Sequence, residues 1–244
     1  MMSTLPGIWP PPTDPVRVDA LDLLLADGIH PIYVEHRQAI EDNWIAEKRA
    51  NPHLFNGQMV LQRRLSYDNG VIRGIAQVIP YSAFLWWRKQ PDMAGALHLF
   101  GFAVLVSSDG AIIAIRMGKR TASPGKVYCA AGSLDLDDVV NGKIDLVANM
   151  RREVREETGL DLDGAVAAPH CHASHAEGRV VVFRFYRFSL KAEDMVVRIN
   201  DHMLHDSEQE IEGAVVIRSA DREAHQYSPA MYPILDMFFT LPDN

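Results

Sequence analysis

Arg152-Glu153-Val154-Arg155-Glu156-Glu157-Thr158-Gly159-Leu160 is the stretch from which the rest of the chain is read. Glu153, Glu156 and Glu157 stand at i, i+3 and i+4, which places three carboxylates on one face of a helix. Like charges so placed repel, at a cost of a few tenths of a kcal/mol per pair. A divalent cation turns that cost into a gain. Ligands that are all oxygen select the hard ions Mg²⁺ or Mn²⁺, which also bind phosphates. Gly159 is placed to close the helix in a left-handed conformation. A glutamate pair just before it opposes the helix macrodipole, an arrangement that a bound cation explains better than stability does. The competing reading is an exposed helix end in which Arg151, Arg152 and Arg155 pair with the glutamates.

The residues upstream give this helix a context. Phe102-Ala103-Val104-Leu105-Val106 is an apolar run that predicts a buried strand. Ser108-Asp109-Gly110 is a turn signal, and Ala111-Ile112-Ile113-Ala114-Ile115 is the returning strand. Lys126 to Ala131 leads into a turn at Gly132. Ile144, Val147, Ala148, Arg151 and Val154 fall at spacings of three and four, predicting an apolar stripe with the glutamates mostly off it.

Arg-Glu-apolar-x-Glu-Glu-x-Gly-apolar is the second half of the Nudix box, so the chain resembles the Nudix hydrolases over about residues 97 to 220. The resemblance implies an α/β (α+β) fold: a Nudix-type α/β/α sandwich with a mixed sheet. It also implies cleavage of a nucleoside diphosphate linked to another moiety. Glu153, Glu156 and Glu157 would hold Mg²⁺ (or Mn²⁺), and Arg152 would orient a glutamate. The first half of the box matches poorly. The position eight before Arg152 is Ile144, with Asp145 beside it turned about 100° around a helix. Gly132, in Ala131-Gly132-Ser133-Leu134-Asp135, lies too far from Arg152, and the excess is expected as a loop within Leu136 to Gly142.

Nudix enzymes often carry an acidic residue before their last core strand, as metal ligand or base. Here Glu210 is the first choice and Glu208 the second, ahead of Ile211 to Ile217. Val180 to Phe188 predicts a strand with Phe183, Phe185 and Arg187 on one side and Arg184, Tyr186 and Phe188 on the other. Arg184 or Arg187 could meet a substrate phosphate; a surface role is the alternative. Pro169-His170-Cys171-His172-Ala173-Ser174-His175 suggests zinc by its donor types. No second pair of ligands accompanies it, and a substrate contact by His172 is the alternative beside ordinary surface histidines. Ser228 to Leu241 predicts a closing helix.

The first 95 residues are expected to form a small α+β unit with a proline-rich arm, ahead of a hydrolase domain over 96–244. Val18 to Leu25 reads equally as strand or helix. Glu35 to Ala50 predicts a helix with Ile40, Trp44, Ile45 and Lys48 along one side. Met59 to Leu65 and Val71 to Ile79 flank Asn69-Gly70, the strongest short hairpin signal. Ser82 to Lys89 predicts a helical turn or more, and Pro91 to Gly95 the junction. Asn51-Pro52-His53-Leu54-Phe55-Asn56-Gly57 is similar to a segment ahead of the fold in UDP-sugar pyrophosphatases. The plain alternative has Leu54 and Phe55 plugging the core.

Composition sets outer limits. A chain of 244 residues with 24 basic and 32 acidic side chains carries a net charge of −8. That argues against a general nucleic-acid binder, which needs basic surface. A small phosphorylated nucleotide substrate is compatible with it, and a nucleotide sugar is the first guess. Two cysteines, Cys129 and Cys171, give no disulfide framework, so a reducing cytoplasm is the default. No signal peptide and no apolar run long enough to span a bilayer is legible. The N-terminal unit is also a candidate homodimer surface. The rival to an enzyme is a non-catalytic, nucleotide-binding module on the same fold.

Overall fold

The computed structural model describes residues 15–91, 95–176, 178–206 and 209–240. The proline arm lies outside them except for Pro15, as do Glu208 and most of the Pro91 to Gly95 junction.

Two mixed sheets form the frame. The larger has β1 (Val16–Val18), β11 (Cys171–Ala176), β12 (Arg179–Phe188), β5 (His98–Val106), β6 (Ile112–Met117) and β13 (Ile211–Ile217) in that order. β7 (Val127–Tyr128) pairs with β6, and β10 (Ala165–Ala167) with β12. β5 and β12 run parallel, from Arg179 beside His98 to Arg187 beside Val106. Both faces of this sheet are covered. Leu99, Ala103 and Leu105 of β5 join one core with Tyr186 and Phe188 of β12. Phe102, Val104 and Val106 join the other with Phe183 and Phe185. Period-2 alternation therefore buries both faces of each strand, which accounts for its near-continuous apolar run.

Helix α4 (Leu146–Thr158) and α5 (Ala192–Met203) cover the first face, burying Leu146, Met150 and Val154, and Ala192, Met195 and Ile199. α6 (Tyr232–Thr240), preceded by a 3₁₀ turn at Pro229–Met231, covers the second with Ile234 and Leu235. The result is the α/β/α layering that the sequence predicts.

The smaller sheet has the order β3 (Gln58–Asp68), β4 (Val71–Pro80), β2 (Ala20–Ile29), β9 (Lys143–Ile144), β8 (Val139–Val140). The β3–β4 hairpin turns on Asn69 (φ 46°) and Gly70 (φ 79°), the left-handed pair that an Asn-Gly turn requires. The segment ambiguous between helix and strand is strand, in β1 and β2. α1 (Pro31–Glu35) and α2 (Arg37–Ala50) replace the single helix expected from Glu35; Ile40 is its buried anchor, whereas Ile45 is 59% exposed. α3 (Tyr81–Trp87) buries Phe84, Leu85 and Trp87.

Strands cross the boundary expected near residue 95 in both directions. β1 joins the larger sheet through β11, while β8 and β9 close the smaller one. The excess before Arg152 is thus not an open loop but a hairpin turning on Asn141 (φ 51°) and Gly142 (φ 76°). Ile144 belongs to β9, and α4 begins only at Leu146.

His30 carries a pH-dependent part of this unit's stability. Its Nδ1 accepts the Ile32 N–H at 3.2 Å, capping α1. Burial, reinforced by Arg63, pushes its pKa down from 6.5 to about 4. The neutral form is the folded form, so its contribution is complete above about pH 6.5 and is lost as pH falls toward 4. Thermal unfolding from pH 7.5 to 4 should lose on the order of 1–2 kcal/mol from this group, allowing for solvent screening. His30→Asn, which keeps a capping acceptor and cannot titrate, should flatten that part of the profile. An unchanged slope would refute the assignment.

Candidate active site

α4 is fixed at both ends by its own sequence. Asp145 Oδ1 accepts the N–H groups of Val147 (3.1 Å) and Ala148 (2.9 Å), so this residue is an N-cap and not a carboxylate turned around the helix. Gly159 (φ 66°) ends the helix, its N–H bonded to Arg155 O, and Leu160 re-enters the core.

The buried stripe differs from the predicted one. It runs through Leu146, Asn149, Met150, Glu153, Val154, Glu157 and Thr158, while Ala148 and Arg151 face solvent. Ile144 lies outside the helix, and with it removed the stripe moves around by one residue. Glu153 and Glu157 therefore lie on the buried face, at 7% and 6% exposure; Glu156 faces out.

What receives them is the Ala131–Gly132 turn. The Ala131 N–H donates to Glu157 Oε2 at 2.8 Å. Glu153 packs on Gly132 so closely that a Cβ there would overlap its carboxyl group. The turn is held in turn by β3, where the Val60 N–H donates to Leu134 O at 2.9 Å. The smaller sheet thus positions the acidic helix's neighbour.

Arg152 ties the carboxylates together. Its Nη1 is 2.8 Å from Glu153 Oε1 and 3.0 Å from Glu156 Oε2, and its Nη2 is 3.2 Å from Asp138 Oδ2. Asp138 is 2% exposed and also accepts from Asn149 Nδ2 (2.9 Å) and the Asp135 N–H (3.0 Å). Asp138 is not among the residues that the sequence singles out, because it falls in the segment expected as loop, Leu136 to Gly142. The available signal was its place just before Val139-Val140-Asn141-Gly142, a second Asn-Gly hairpin.

Burial pushes the Glu153 carboxyl up to about 8, opposed by Arg152 and reinforced by Glu156, Asp138 and Glu210. Burial, then Glu153, raises Glu157 well above the ordinary range, opposed by the Ala131 N–H. Burial also raises Asp138. The helix concentrates negative charge where water does not screen it.

A cavity of about 750 Å³ opens beside this cluster. Arg152, Glu153, Glu156 and Glu210 line it, with Arg88, Arg120 and Arg179. Glu210 stands just ahead of β13, and its carbonyl accepts the Gly118 N–H at 2.7 Å. Glu157 lies behind the turn. Among the described residues, no three His, Cys, Asp or Glu side chains are already drawn together as metal ligands. The donor set nevertheless suits a hard divalent ion: oxygens only, partly desolvated and mutually repelling.

Arg184, Arg187 and His172 do not line this cavity. Arg184 Nε donates to Ala168 O at 2.7 Å, and its guanidinium lies over Tyr186. Arg187 lies over the Phe238 ring. His172 stacks on Phe183 at 5.6 Å, across from Arg17 in β1. Their strands place them outside the lining of this cavity, whose arginines besides Arg152 are Arg88, Arg120 and Arg179. His170 Nδ1 lies 3.3 Å from Asp19, and nothing gathers the histidines into a zinc site among the described residues. Both cysteines are free thiols. No described helix is long and apolar enough to cross a membrane.

No family model and no curated protein matches the chain. Among solved structures it is similar to a protein from Deinococcus radiodurans, at 13% identity over 75% of this chain and 99% of that one, with a TM-score of 0.45. It is similar to a MutT protein from Methanosarcina mazei at 15% identity, 58% and 92% coverage and a TM-score of 0.38. A Nudix hydrolase from Nitrosomonas europaea follows at 15% identity, 60% and 82% coverage and a TM-score of 0.32. At such values the functional reading rests on the geometry alone.

Two outcomes follow from the packing. Gly132→Ala should displace the Glu153 carboxyl from the turn and so change the pH dependence of the melting temperature between pH 6 and 8.5; an unchanged profile would refute the contact. The raised Glu153 pKa means that the metal-free fold is favoured below about 4.5 and loses stability as pH rises through about 8. Mn²⁺ should therefore raise the melting temperature more at pH 8.5 than at pH 6, since it needs the deprotonated carboxylate. An equal shift at both values would count against the cation.

Proposed function

We propose that the chain is a Nudix-type pyrophosphohydrolase. It would cleave the diphosphate of a nucleoside diphosphate linked to another moiety, giving a nucleoside monophosphate and a phosphorylated product. A nucleotide sugar is the first candidate. The observation that supports this most is the burial of Glu153 and Glu157 against the Ala131–Gly132 turn beside a cavity lined with arginines.

Glu153 and Glu156, backed by Glu157, would hold Mg²⁺ or Mn²⁺, with Glu210 as a further candidate. Such an ion would neutralise diphosphate charge and lower the pKa of a bound water. Arg152 holds Glu153 and Glu156 by charge-assisted bonds and is itself anchored on Asp138. Arg88, Arg120 and Arg179 offer guanidinium groups to the phosphoryl oxygens. Glu153 or Glu210 takes the proton from the attacking water.

The test is a panel of nucleoside diphosphate derivatives scored for phosphate-containing products with and without Mg²⁺. Glu157→Gln keeps an acceptor for the Ala131 N–H, so its melting temperature should be unchanged or higher. Its turnover should fall by about 100-fold or more. Full turnover in that variant would overturn the assignment. A shift in melting temperature with nucleotides but no product from any of them would mark the chain as a binding module instead.

A further inference from the structure

Phe55 is 83% exposed, although the segment carrying it is fastened throughout. Asn51 Nδ2 donates to Arg120 O at 2.7 Å, and Asn51 Oδ1 accepts the His53 N–H at 3.1 Å. Lys48 Nζ donates to Pro52 O and Leu54 O at 2.6 and 2.9 Å. Asn56 Oδ1 accepts the Ser82 N–H at 2.7 Å, and Gly57 O the Tyr81 N–H at 2.8 Å. Leu54 alone of the apolar pair is buried. The Phe55 ring lies against Gly57, where a Cβ would come within 3.2 Å of it. A large aromatic held this firmly in water, at the wall of a cavity, buries nothing of its own fold.

The cavity it borders has an aromatic lining. His98, Phe100 and Phe102 share one face of β5 at alternate positions, with ring centroids 5.0 and 5.2 Å apart. Phe84 continues the series at 4.6 Å from His98, and Tyr128 lies parallel to Phe102 at 5.9 Å. One polar atom interrupts it. His98 Nε2 is shielded from water and has no hydrogen-bond partner among the described residues. Arg88 and Arg120 line the same cavity; Arg88 Nη2 donates to Ser123 Oγ at 3.4 Å and its guanidinium lies over the Phe84 ring.

We propose that Phe55 and the His98–Phe100–Phe102 face form a subsite for a planar heteroaromatic ring, the nucleobase of a nucleotide whose phosphates meet the arginines. Phe55 supplies a stacking face, and the β5 aromatics an apolar wall of the same cavity. Stacking suits this role because each base has a π-face, and an aromatic side chain loses little entropy in holding it. Placing the diphosphate at Glu153 rests on the hydrolase reading; the ring subsite does not.

The test therefore uses neither metal nor turnover. Binding of AMP, GMP, CMP and UMP is compared by calorimetry with binding of ribose 5-phosphate, which lacks only the base. At least one nucleotide should bind about tenfold or more tightly than ribose 5-phosphate. Phe55→Ala should remove that preference, and Phe55→Tyr should keep it. The proposal falls if ribose 5-phosphate binds as well as the nucleotides, if none of the five binds, or if Phe55→Ala retains the preference. It also falls if Phe55→Ala changes only the native mass, which would assign the ring to contact between copies of the chain. Loss of turnover on Glu157→Gln addresses the hydrolase reading separately.

Discussion

Two carboxylates pressed between a helix and a glycine turn govern the architecture around them. Glu153 and Glu157 occupy positions on α4 where aliphatic side chains would pack without penalty. They stay because Ala131 gives one a hydrogen bond and Gly132 gives the other room. Arg152 then balances part of the charge, and Asp138 holds Arg152. Remove any one of these contacts and a buried polar group is left without its partner, which is the expensive outcome. The site is therefore built from the inside: its acidity is a product of packing before it is a matter of ligands.

The smaller sheet is part of that construction. β3 bonds the loop that carries Gly132, and the segment after α2 bonds the loop that carries Arg120. One wall of the cavity comes from residues before 95 and the opposite wall from α4 and the approach to β13. The smaller sheet, completed by β8 and β9, belongs to the same framework as the acidic helix. The accessory strands determine where the acidic helix's partners stand.

Much of this was legible in the sequence, and the failures have physical causes. Strands β5, β6 and β12 were plain because runs buried on both faces leave few polar interruptions. The Asn69-Gly70 turn announced itself through its left-handed φ requirement, and Gly159 through its place after the last helical turn. The same Asn-Gly signal at Asn141-Gly142 is faint, because the flanking strands, Val139-Val140 and Lys143-Ile144, are two residues each, too short to show a period. Missing it put Ile144 inside the helix, moved the buried stripe by one position and hid Asp138. Arg184, Arg187 and His172 were chosen by chemistry alone. Which end of a sheet a side chain occupies depends on strand order, and the parallel pairing of β12 with β5 joins residues far apart in sequence. Phe55 was expected to plug the core because apolar residues usually do; its neighbours' hydrogen bonds, which hold it outward, carry no sequence signature.

The exchange of strands also governs how the chain can be made. Without residues 139–144, β2 would be an open border of the smaller sheet. β1 likewise pairs with β11. An unpaired strand border is a template for other chains. Cutting the gene near codon 95 would consequently yield two incomplete halves, each exposing a border that the other was meant to cover.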